Sequence, residues 1–183
     1  LRALIDKLDA AHRLTETEYE TLFAGRAAVA DYAAALADAR RREVYGTDVY
    51  IRGLIEVSNI CKNDCYYCGI RKSNAACTRY RLGDDEILAA CRAGYALGFR
   101  TFVMQGGEDA AFSDARLVPL VRAIKAEFPD CAVTLSLGER SDASYRALRE
   151  AGADRYLLRH ETADAAHYAR LHPAAMSHGS RLH

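Results

Sequence analysis

The chain repeats a junction of helix, glycine and strand, first at Ala96-Leu97-Gly98-Phe99-Arg100-Thr101 and again at Glu150-Ala151-Gly152-Ala153-Asp154-Arg155. In both copies an amphipathic stretch precedes the glycine and an apolar run comes soon after it. A glycine in this place is typical of the left-handed residue that ends a helix. Regular alternation of helices and strands predicts a parallel sheet, because each helix returns the chain to the start of the next strand.

Apolar runs and amphipathic stretches extend this pattern from residue 49 onward. The predicted strands are Val49–Val57, Thr101–Gln105, Ala132–Leu137 and Arg155–Arg159. The predicted helices cover residues 84–97, 114–127 and 142–151, and a fourth begins near Asp164. Asp84 and Asp142 are the expected N-cap residues, and Gly98 and Gly152 are expected to be left-handed.

The number of βα units indicates which parallel fold is present. Four units in about 120 residues are half of a (β/α)8 barrel, which takes ~250 residues in all. A Rossmann fold is the runner-up, but no Gly-x-Gly-x-x-Gly motif follows the first strand. The predicted fold class is therefore α/β, a TIM-type (β/α)8 barrel of which this chain carries the N-terminal half.

The first 45 residues are predicted to form helices without strands. A capping box at Thr15-Glu16-Thr17-Glu18 begins the second of three helices, which ends near Gly25, and the Ala-rich stretch 26–44 supplies the third. The predicted domains are a helical extension over residues 1–45 and a truncated half-barrel over residues 46–183.

Three cysteines follow the first predicted strand in the stretch Cys61-Lys62-Asn63-Asp64-Cys65-Tyr66-Tyr67-Cys68. A 4Fe-4S cluster normally takes four cysteine ligands, so three close thiolates can leave one iron open to another molecule. Structural zinc would need a fourth ligand, for which Cys77 is the nearest candidate. A disulfide framework is disfavoured, because a chain of 183 residues with half its composition apolar builds a core unaided. Cys91 and Cys131 are expected to be small buried apolar residues.

In either parallel architecture the functional groups belong at the C-terminal ends of the strands. That rule selects four segments: Ser58–Gly69, Gly106–Asp109, Ser136–Glu139 and Arg159–Glu161. Taken alone, paired glycines after a strand favour a simple turn at Gly106-Gly107-Glu108.

Strand alternation places further polar side chains. In the fourth strand it puts Leu157, Arg159 and Glu161 on one face, as either an Arg–Glu ion pair over the core or the charged groups of a site. In the third strand Thr134 and Ser136 share a face. Ser136 is nearer the mouth and can contact a ligand if that face is the barrel interior; otherwise both hydroxyls bond local backbone groups.

Composition excludes several classes of protein. Basic and acidic residues balance at 25 each, without a basic cluster that would follow a phosphate backbone, so nucleic acid is not an expected partner. No stretch approaches the ~20 apolar residues of a membrane span, and the charged N-terminus does not read as a signal peptide. A cytoplasmic location is expected, because reduced thiols suit an exposed cluster.

The Cys-x3-Cys-x2-Cys spacing, with an aromatic residue before the last cysteine, resembles the signature of the radical S-adenosylmethionine (radical SAM) superfamily. Within it the chain is similar to the HydE family of maturases of iron-only ([FeFe]) hydrogenases, over roughly residues 50 to 172. The similar stretches are Gly53–Asn59, Gly69–Asn74, Arg79–Arg81, Gln105–Asp109, Thr134–Glu139 and Ala151–Thr162.

The resemblance implies a 4Fe-4S cluster and S-adenosylmethionine (SAM) at the top of a full barrel. It implies Cys61, Cys65 and Cys68 as the cluster ligands. The implied SAM contacts are Tyr67, Gly106, Gly107, Glu108, Ser136, Arg159, Glu161 and Arg181. The glycine pair and Glu108 would approach the amino group of SAM through their backbone. Glu161 would accept hydrogen bonds from the ribose, and Arg159 would face a carboxylate or an anionic substrate.

The same resemblance implies partners. They are an organometallic substrate, two sister maturases (a radical SAM tyrosine lyase and a GTPase scaffold), and an electron donor such as a ferredoxin or flavodoxin. Two alternatives stay open: an enzyme like 3-methylornithine synthase, and a non-catalytic iron-sulfur or zinc module. SAM binding separates the enzyme hypotheses from the module.

Overall fold

A computed structural model describes residues 1–182, which fall into two compact units that meet in the sequence between Tyr50 and Ile51. The helices are α1 (Arg2–Ala11), α2 (Glu16–Ala24), α3 (Ala30–Tyr45), α4 (Asp84–Ala96), α5 (Asp114–Glu127), α6 (Asp142–Glu150), α7 (Ala165–Leu171) and α8 (His178–Leu182). The strands are β1 (Gly53–Ser58), β2 (Thr101–Gly106), β3 (Ala132–Ser136) and β4 (Arg155–Tyr156).

The N-terminal unit contains only helices, as predicted. The capping box is present, since the Thr15 hydroxyl accepts from the amide of Glu18 at 3.4 Å and Glu18 accepts from the amide of Thr15 at 2.9 Å. Helix α2 ends at Gly25, and a short 3-10 turn separates it from α3. A largely apolar cavity of about 570 Å3 lies among these helices. The predicted division into domains 1–45 and 46–183 stays a prediction.

The second unit is built on one four-stranded parallel sheet whose spatial order, β1-β2-β3-β4, is the order of the sequence. A Rossmann sheet would reverse direction at its first strand, giving the order 3-2-1-4. Sequential parallel strands joined by helices are the arrangement of a (β/α)8 barrel. The prediction of a partial (β/α) barrel is confirmed.

The helices cover one face of this sheet. Alternate strand residues such as Ile55, Val57, Phe102 and Met104 are buried against α4, α5 and α6. The opposite face carries the remaining strand residues, and the strand register places them side by side. Between β1 and β2 the pairs are Leu54 with Val103 and Glu56 with Gln105, and between β2 and β3 they are Val103 with Thr134 and Gln105 with Ser136. Thr134 and Ser136 therefore share the face away from the helices, as strand alternation predicted.

Several local predictions are confirmed. Gly98 and Gly152 have φ angles of 94° and 111°, in the left-handed region that favours glycine. Cys91 and Cys131 are buried in the core.

The predicted N-cap residues of α4 and α6 are wrong by one position. Gly83 precedes α4, and the amide of Gly83 bonds the Glu86 carboxylate at 2.6 Å. Ser141 precedes α6 and accepts from the amide of Ser144 at 3.3 Å. Asp84 and Asp142 occupy the first helical turn instead, where a negative charge also suits the helix dipole.

Two predicted strands are too long. The first begins at Gly53 rather than Val49, and the fourth is two residues long rather than five. The apolar residues Val49, Tyr50 and Ile51 are exposed, so their side chains do not pack in the core as those of a buried strand would. Within residues 1–182, no helix is long and apolar enough to cross a bilayer.

Candidate cluster and nucleotide site

A cavity of about 220 Å3 lies at the C-terminal ends of the strands. All of the predicted site residues line it: Cys61, Cys65, Tyr67, Cys68, Gly106, Gly107, Glu108, Ser136, Arg159, Glu161 and Arg181. Residues not predicted for the site also line it, namely Asn63, Ile70, Gln105, Gly138, Leu157, Leu158 and His172. The structure thus brings the predicted residues together, while their individual roles stay predictions.

The three motif cysteines are free thiols and partly exposed. The Cys61 sulfur accepts a hydrogen bond from the amide of Glu108 at 3.4 Å, and the amide of Cys68 donates to the carbonyl of Cys65 at 3.0 Å. Burial raises the pKa of the Cys65 thiol. Among the described residues, no three His, Cys, Asp or Glu side chains converge closely enough to hold one metal ion. A cluster of several irons does not require its thiolates to meet at one point.

Arg79 holds the cysteine loop, which we define as residues 59–80. Its guanidinium donates to the backbone carbonyls of Asn59, Ile70, Arg71 and Asn74 at 2.6 to 3.1 Å. Arginine suits this position because its planar group presents five donors in fixed directions. Sequence reasoning treated Arg79 only as part of a matching stretch, because four carbonyl contacts from separate turns leave no local pattern.

The two ends of the cysteine loop are joined through Asn59. Its side-chain amide donates to the carbonyl of Thr78 at 2.7 Å and its oxygen accepts from the amide of Tyr80 at 2.7 Å. The thiol of Cys77 lies beside this amide, 3.5 Å from the Asn59 nitrogen. Cys77 is therefore part of the loop but does not line the cavity.

A buried carboxylate in the loop after β2 binds the two residues that flank the cysteine loop. Asp109 accepts two hydrogen bonds from Arg81, at 2.7 and 2.8 Å, and one from the Ser58 hydroxyl at 2.7 Å. Only 3% of its side chain is exposed. The Arg81 guanidinium, helped by Ser58 and the amide of Ala111, lowers the pKa of Asp109 to about 2 against the effect of burial.

Gly106 and Gly107 are needed for close approach of two loops. A Cβ on Gly107 would overlap the carbonyl oxygen of Ile60 and come within 2.7 Å of the Cys61 side chain, and one on Gly106 would lie 3.0 Å from the carbonyl of Ser58. Neither glycine has a positive φ. Gly106 ends β2, and the absence of side chains at both glycines lets the β2 end contact the cysteine loop.

Glu108 is part of a charged network at the edge of the cavity. It pairs with Arg181 and with Lys62, each at 3.1 Å, and Arg181 also pairs with Glu139 at 2.9 Å. The side chains of Glu108 and Arg181 are only 10% and 11% exposed. Buried charges require such partners, so the pair fixes the C-terminal helix α8 to the β2 end.

The segment after β4, which we call the β4 loop (residues 157–162), departs from the predicted alternation. Because β4 ends at Tyr156, Leu157 and Leu158 both line the cavity rather than facing opposite ways. Glu161 has a φ of 68°, a left-handed conformation that is uncommon for a residue with a side chain. Among the ion pairs of the described residues, none joins Arg159 to Glu161.

The hydroxyls of β3 differ from one another. Ser136 lines the cavity, whereas Thr134 is buried beneath it. Within residues 1–182 the Thr134 Oγ1 atom is buried and has no hydrogen-bond partner. The alternative that both hydroxyls bond local backbone groups is therefore wrong for Thr134.

The C-terminal segment contacts the cysteine motif directly. The amide of Tyr66 donates to the carbonyl of Leu171 at 2.9 Å, and the Tyr67 hydroxyl lies 3.2 Å from His172 Nε2. Met176 Sδ is 4.0 Å from Cys65 Sγ. Sequence reasoning missed His172, because a histidine between a helix and Pro173 carries no signal of its own.

Comparison with known proteins agrees with this geometry. The sequence profile of the radical SAM superfamily matches residues 55–177. The "[FeFe] hydrogenase maturase subunit HydE" of Thermotoga maritima is 39% identical over 94% of this chain and 49% of its own length. The 3-methylornithine synthase of Methanosarcina acetivorans is 32% identical over 72% of this chain and 37% of its own length.

The fold also matches solved structures. The crystal structure of methylornithine synthase (PylB) aligns with a TM-score of 0.76 at 28% identity, covering 98% of this chain and 53% of that protein. The chain thus spans 37% to 53% of the length of these relatives. With three cysteines at one cavity on a partial (β/α) barrel, and a superfamily profile that matches from β1 through the residues beyond α7, the chain belongs to the radical SAM superfamily of enzymes.

Proposed function

We propose that this chain supplies the cluster-binding and SAM-binding half of a radical SAM enzyme. The observation that carries the proposal is the cavity at the strand ends, which Cys61, Cys65 and Cys68 share with the glycine pair of β2 and the charged residues of the β4 loop. A metal-binding module without SAM would not need these last two groups at the same cavity.

The residues present fit a 4Fe-4S cluster. The three thiols are unpaired, partly exposed and at one cavity, and the Cys61 sulfur already accepts an amide hydrogen bond. Hydrogen bonds to cluster sulfurs are one means by which proteins set a reduction potential. When bound, such a cluster supplies the electron for reductive cleavage of SAM.

The chain's own residues would bind and orient the SAM molecule. Gly106 and Gly107 line the cavity, so their backbone can contact a ligand amine. Glu161 places an acceptor, and Arg159 a cation, at the same cavity. Leu157 and Leu158 add apolar surface to its lining, which limits water beside the reacting groups.

Anaerobic reconstitution with iron and sulfide tests this proposal. We expect the chain, in a protein that also contains the remaining length found in its relatives, to bind one cluster through the three cysteines. Its electron paramagnetic resonance spectrum in the reduced state should change when SAM is added. A reconstituted cluster whose spectrum ignores saturating SAM would favour the non-catalytic module instead.

Within the superfamily we propose a role like that of the HydE maturase in assembly of the [FeFe]-hydrogenase active site. The 39% identity to a protein of that name over 94% of the chain supports this choice. Arg159 also supports it, because a cation at the cavity suits an anionic organometallic substrate or a substrate carboxylate. Sister maturases and a ferredoxin or flavodoxin as electron donor would be the partners. Six free thiols support a reducing, cytoplasmic compartment.

The second candidate is 3-methylornithine synthase, which the alignment with PylB across 98% of this chain favours. Complementation separates the two. A full-length protein that contains this chain should restore active [FeFe]-hydrogenase in a strain that lacks its own HydE. Failure there, together with conversion of lysine to 3-methylornithine in a parallel assay, would transfer the assignment to the synthase.

A further inference from the structure

His172 is a buried histidine whose two ring nitrogens both have partners. Its exposure is 3%, Nδ1 lies 3.0 Å from the carbonyl oxygen of Tyr168, and Nε2 lies 3.2 Å from the hydroxyl of Tyr67. Buried polar groups in folded proteins are normally hydrogen-bonded, and here each contact has a defined chemical direction.

The contact with Tyr168 assigns the proton on the ring. A carbonyl oxygen can only accept, so Nδ1 of His172 must be the donor. In a neutral imidazole the other nitrogen is then an acceptor. The Tyr67 hydroxyl therefore donates to Nε2.

Packing fixes the orientation of the imidazole. The Tyr168 ring stacks on it with centroids 3.9 Å apart and planes 19° apart, while the Tyr67 ring meets it edge-on at 5.4 Å and 88°. The neighbouring hydrogen bond from the Tyr66 amide to the Leu171 carbonyl fixes the distance between the cysteine loop and the segment that carries His172. The Nε2 atom of His172 consequently accepts the Tyr67 hydrogen bond from one fixed direction.

Tyr67 needs such a constraint. Its ring is half-exposed, lines the cavity and stands between Cys65 and Cys68 in the sequence, so local packing alone leaves it free to turn. We propose that His172 is a positioning residue, which holds the Tyr67 ring as a fixed wall of the SAM pocket beside the cluster ligands. This inference rests on the proposed function, because it requires SAM to enter the cavity.

Three variants of the reconstituted full-length holoprotein test the inference. His172→Phe keeps an aromatic ring against Tyr168 but removes the acceptor. His172→Gln keeps an acceptor, since its amide oxygen can reach the position of Nε2. Tyr67→Phe removes the donor. Iron content, the dissociation constant for SAM and the spectrum of the reduced cluster with and without SAM are measured for each variant and for the double change.

We expect His172→Phe and Tyr67→Phe to keep the cluster, to weaken SAM binding about threefold to tenfold, and to alter the SAM-dependent spectrum. His172→Gln should stay near the parent value. The double variant should bind SAM no more weakly than either single variant, because both remove one interaction. Should His172→Phe fail to fold, Tyr67→Phe and His172→Gln still give the two opposite results.

Unchanged SAM affinity and spectrum in Tyr67→Phe and His172→Phe would overturn the positioning role, as would losses that multiply in the double variant. A purely structural role would shift the melting temperature of all His172 variants, the glutamine change included, without a specific effect on SAM. If the parent protein's cluster spectrum does not respond to SAM, the proposed function fails and this inference fails with it.

Discussion

The two sides of the candidate site are held in different ways. The cysteine loop is fixed from within, by four carbonyl contacts of Arg79 and by the two hydrogen bonds of the Asn59 side chain. In the β4 loop, by contrast, the backbone bonds are those of Leu157 to Leu135 at 2.8 Å and of Thr162 to His160 at 2.9 Å, and Glu161 is left-handed. The cysteine loop is thus held by more hydrogen bonds from its own residues than the β4 loop is.

The largest expected effect comes from the thiols. Cys61→Ser, Cys65→Ser or Cys68→Ser should each abolish stable cluster binding, because a cluster left with two protein ligands is labile. Iron content after anaerobic reconstitution and desalting measures this. Cys77→Ser is the matched control, since Cys77 belongs to the same loop but does not line the cavity. Loss of iron in that control would revive a site with four ligands.

The next effect tests the internal support of the cysteine loop. Arg79→Lys should destabilise the chain by about 3 kcal/mol. In the parent protein four carbonyl oxygens accept hydrogen bonds from the Arg79 guanidinium, and the single ammonium of a lysine cannot replace all four. Cluster retention should fall with it. The free energy of unfolding in denaturant and the half-life of the reconstituted cluster are the two measurements.

Arg71→Lys is the comparison for that change, since Arg71 donates to one carbonyl, that of Cys68, at 3.0 Å. Its effect should be well under half that of Arg79→Lys. Equal effects of the two substitutions would mean that the loop is not held through Arg79.

The third effect is a dependence on pH. The pKa of Asp109 falls from 3.8 to about 2 on folding, so its pairing with Arg81 is fully present above about pH 4 and is lost as the pH falls through 2. We expect roughly 2 kcal/mol of stability to disappear across that window. Asp109→Asn cannot titrate and should lose less over the same range, although it starts from lower stability.

Unfolding free energies measured between pH 5 and pH 2 check this expectation. Asp48→Asn, at an exposed position, serves as the control and should leave the curve of the parent unchanged. Parallel curves for the parent and for Asp109→Asn would show that Asp109 contributes nothing specific to acid stability.

Sequence reasoning succeeded where a local pattern carries the structure. The helix–glycine–strand junctions located β2 and β4, the apolar runs located β1 and β3, and the cysteine spacing predicted three residues that line one cavity. The sequence-based prediction failed in the β4 loop. An apolar run with alternating charges predicts a strand there, whether or not the adjacent strand β3 continues to pair with it. Pairing with β3 stops at Tyr156, and only the three-dimensional register shows this.

The supporting residues were beyond local prediction for a related reason. Asp109 and His172 contact groups that lie far from them in the sequence, up to 105 residues in the case of His172 and Tyr67, and Arg79 contacts carbonyls in separate turns 5 to 20 residues away. In the sequence itself, nothing distinguishes an arginine that binds four carbonyls from an exposed one. Contacts between separate segments appear only once the chain is folded.

The smallest expected effect concerns the β4 loop and completes the comparison. Glu161→Gln keeps the shape of the side chain and removes its charge, so it should weaken SAM binding by about tenfold, as loss of a charge-assisted hydrogen bond to ribose requires. Cluster content should not change. The melting temperature without SAM should also be unchanged, because the Glu161 side chain makes no hydrogen bond or ion pair within the part of the chain that the structure describes. A lower melting temperature together with unaltered SAM affinity would instead place Glu161 among the structural residues and remove the difference between the two sides of the site.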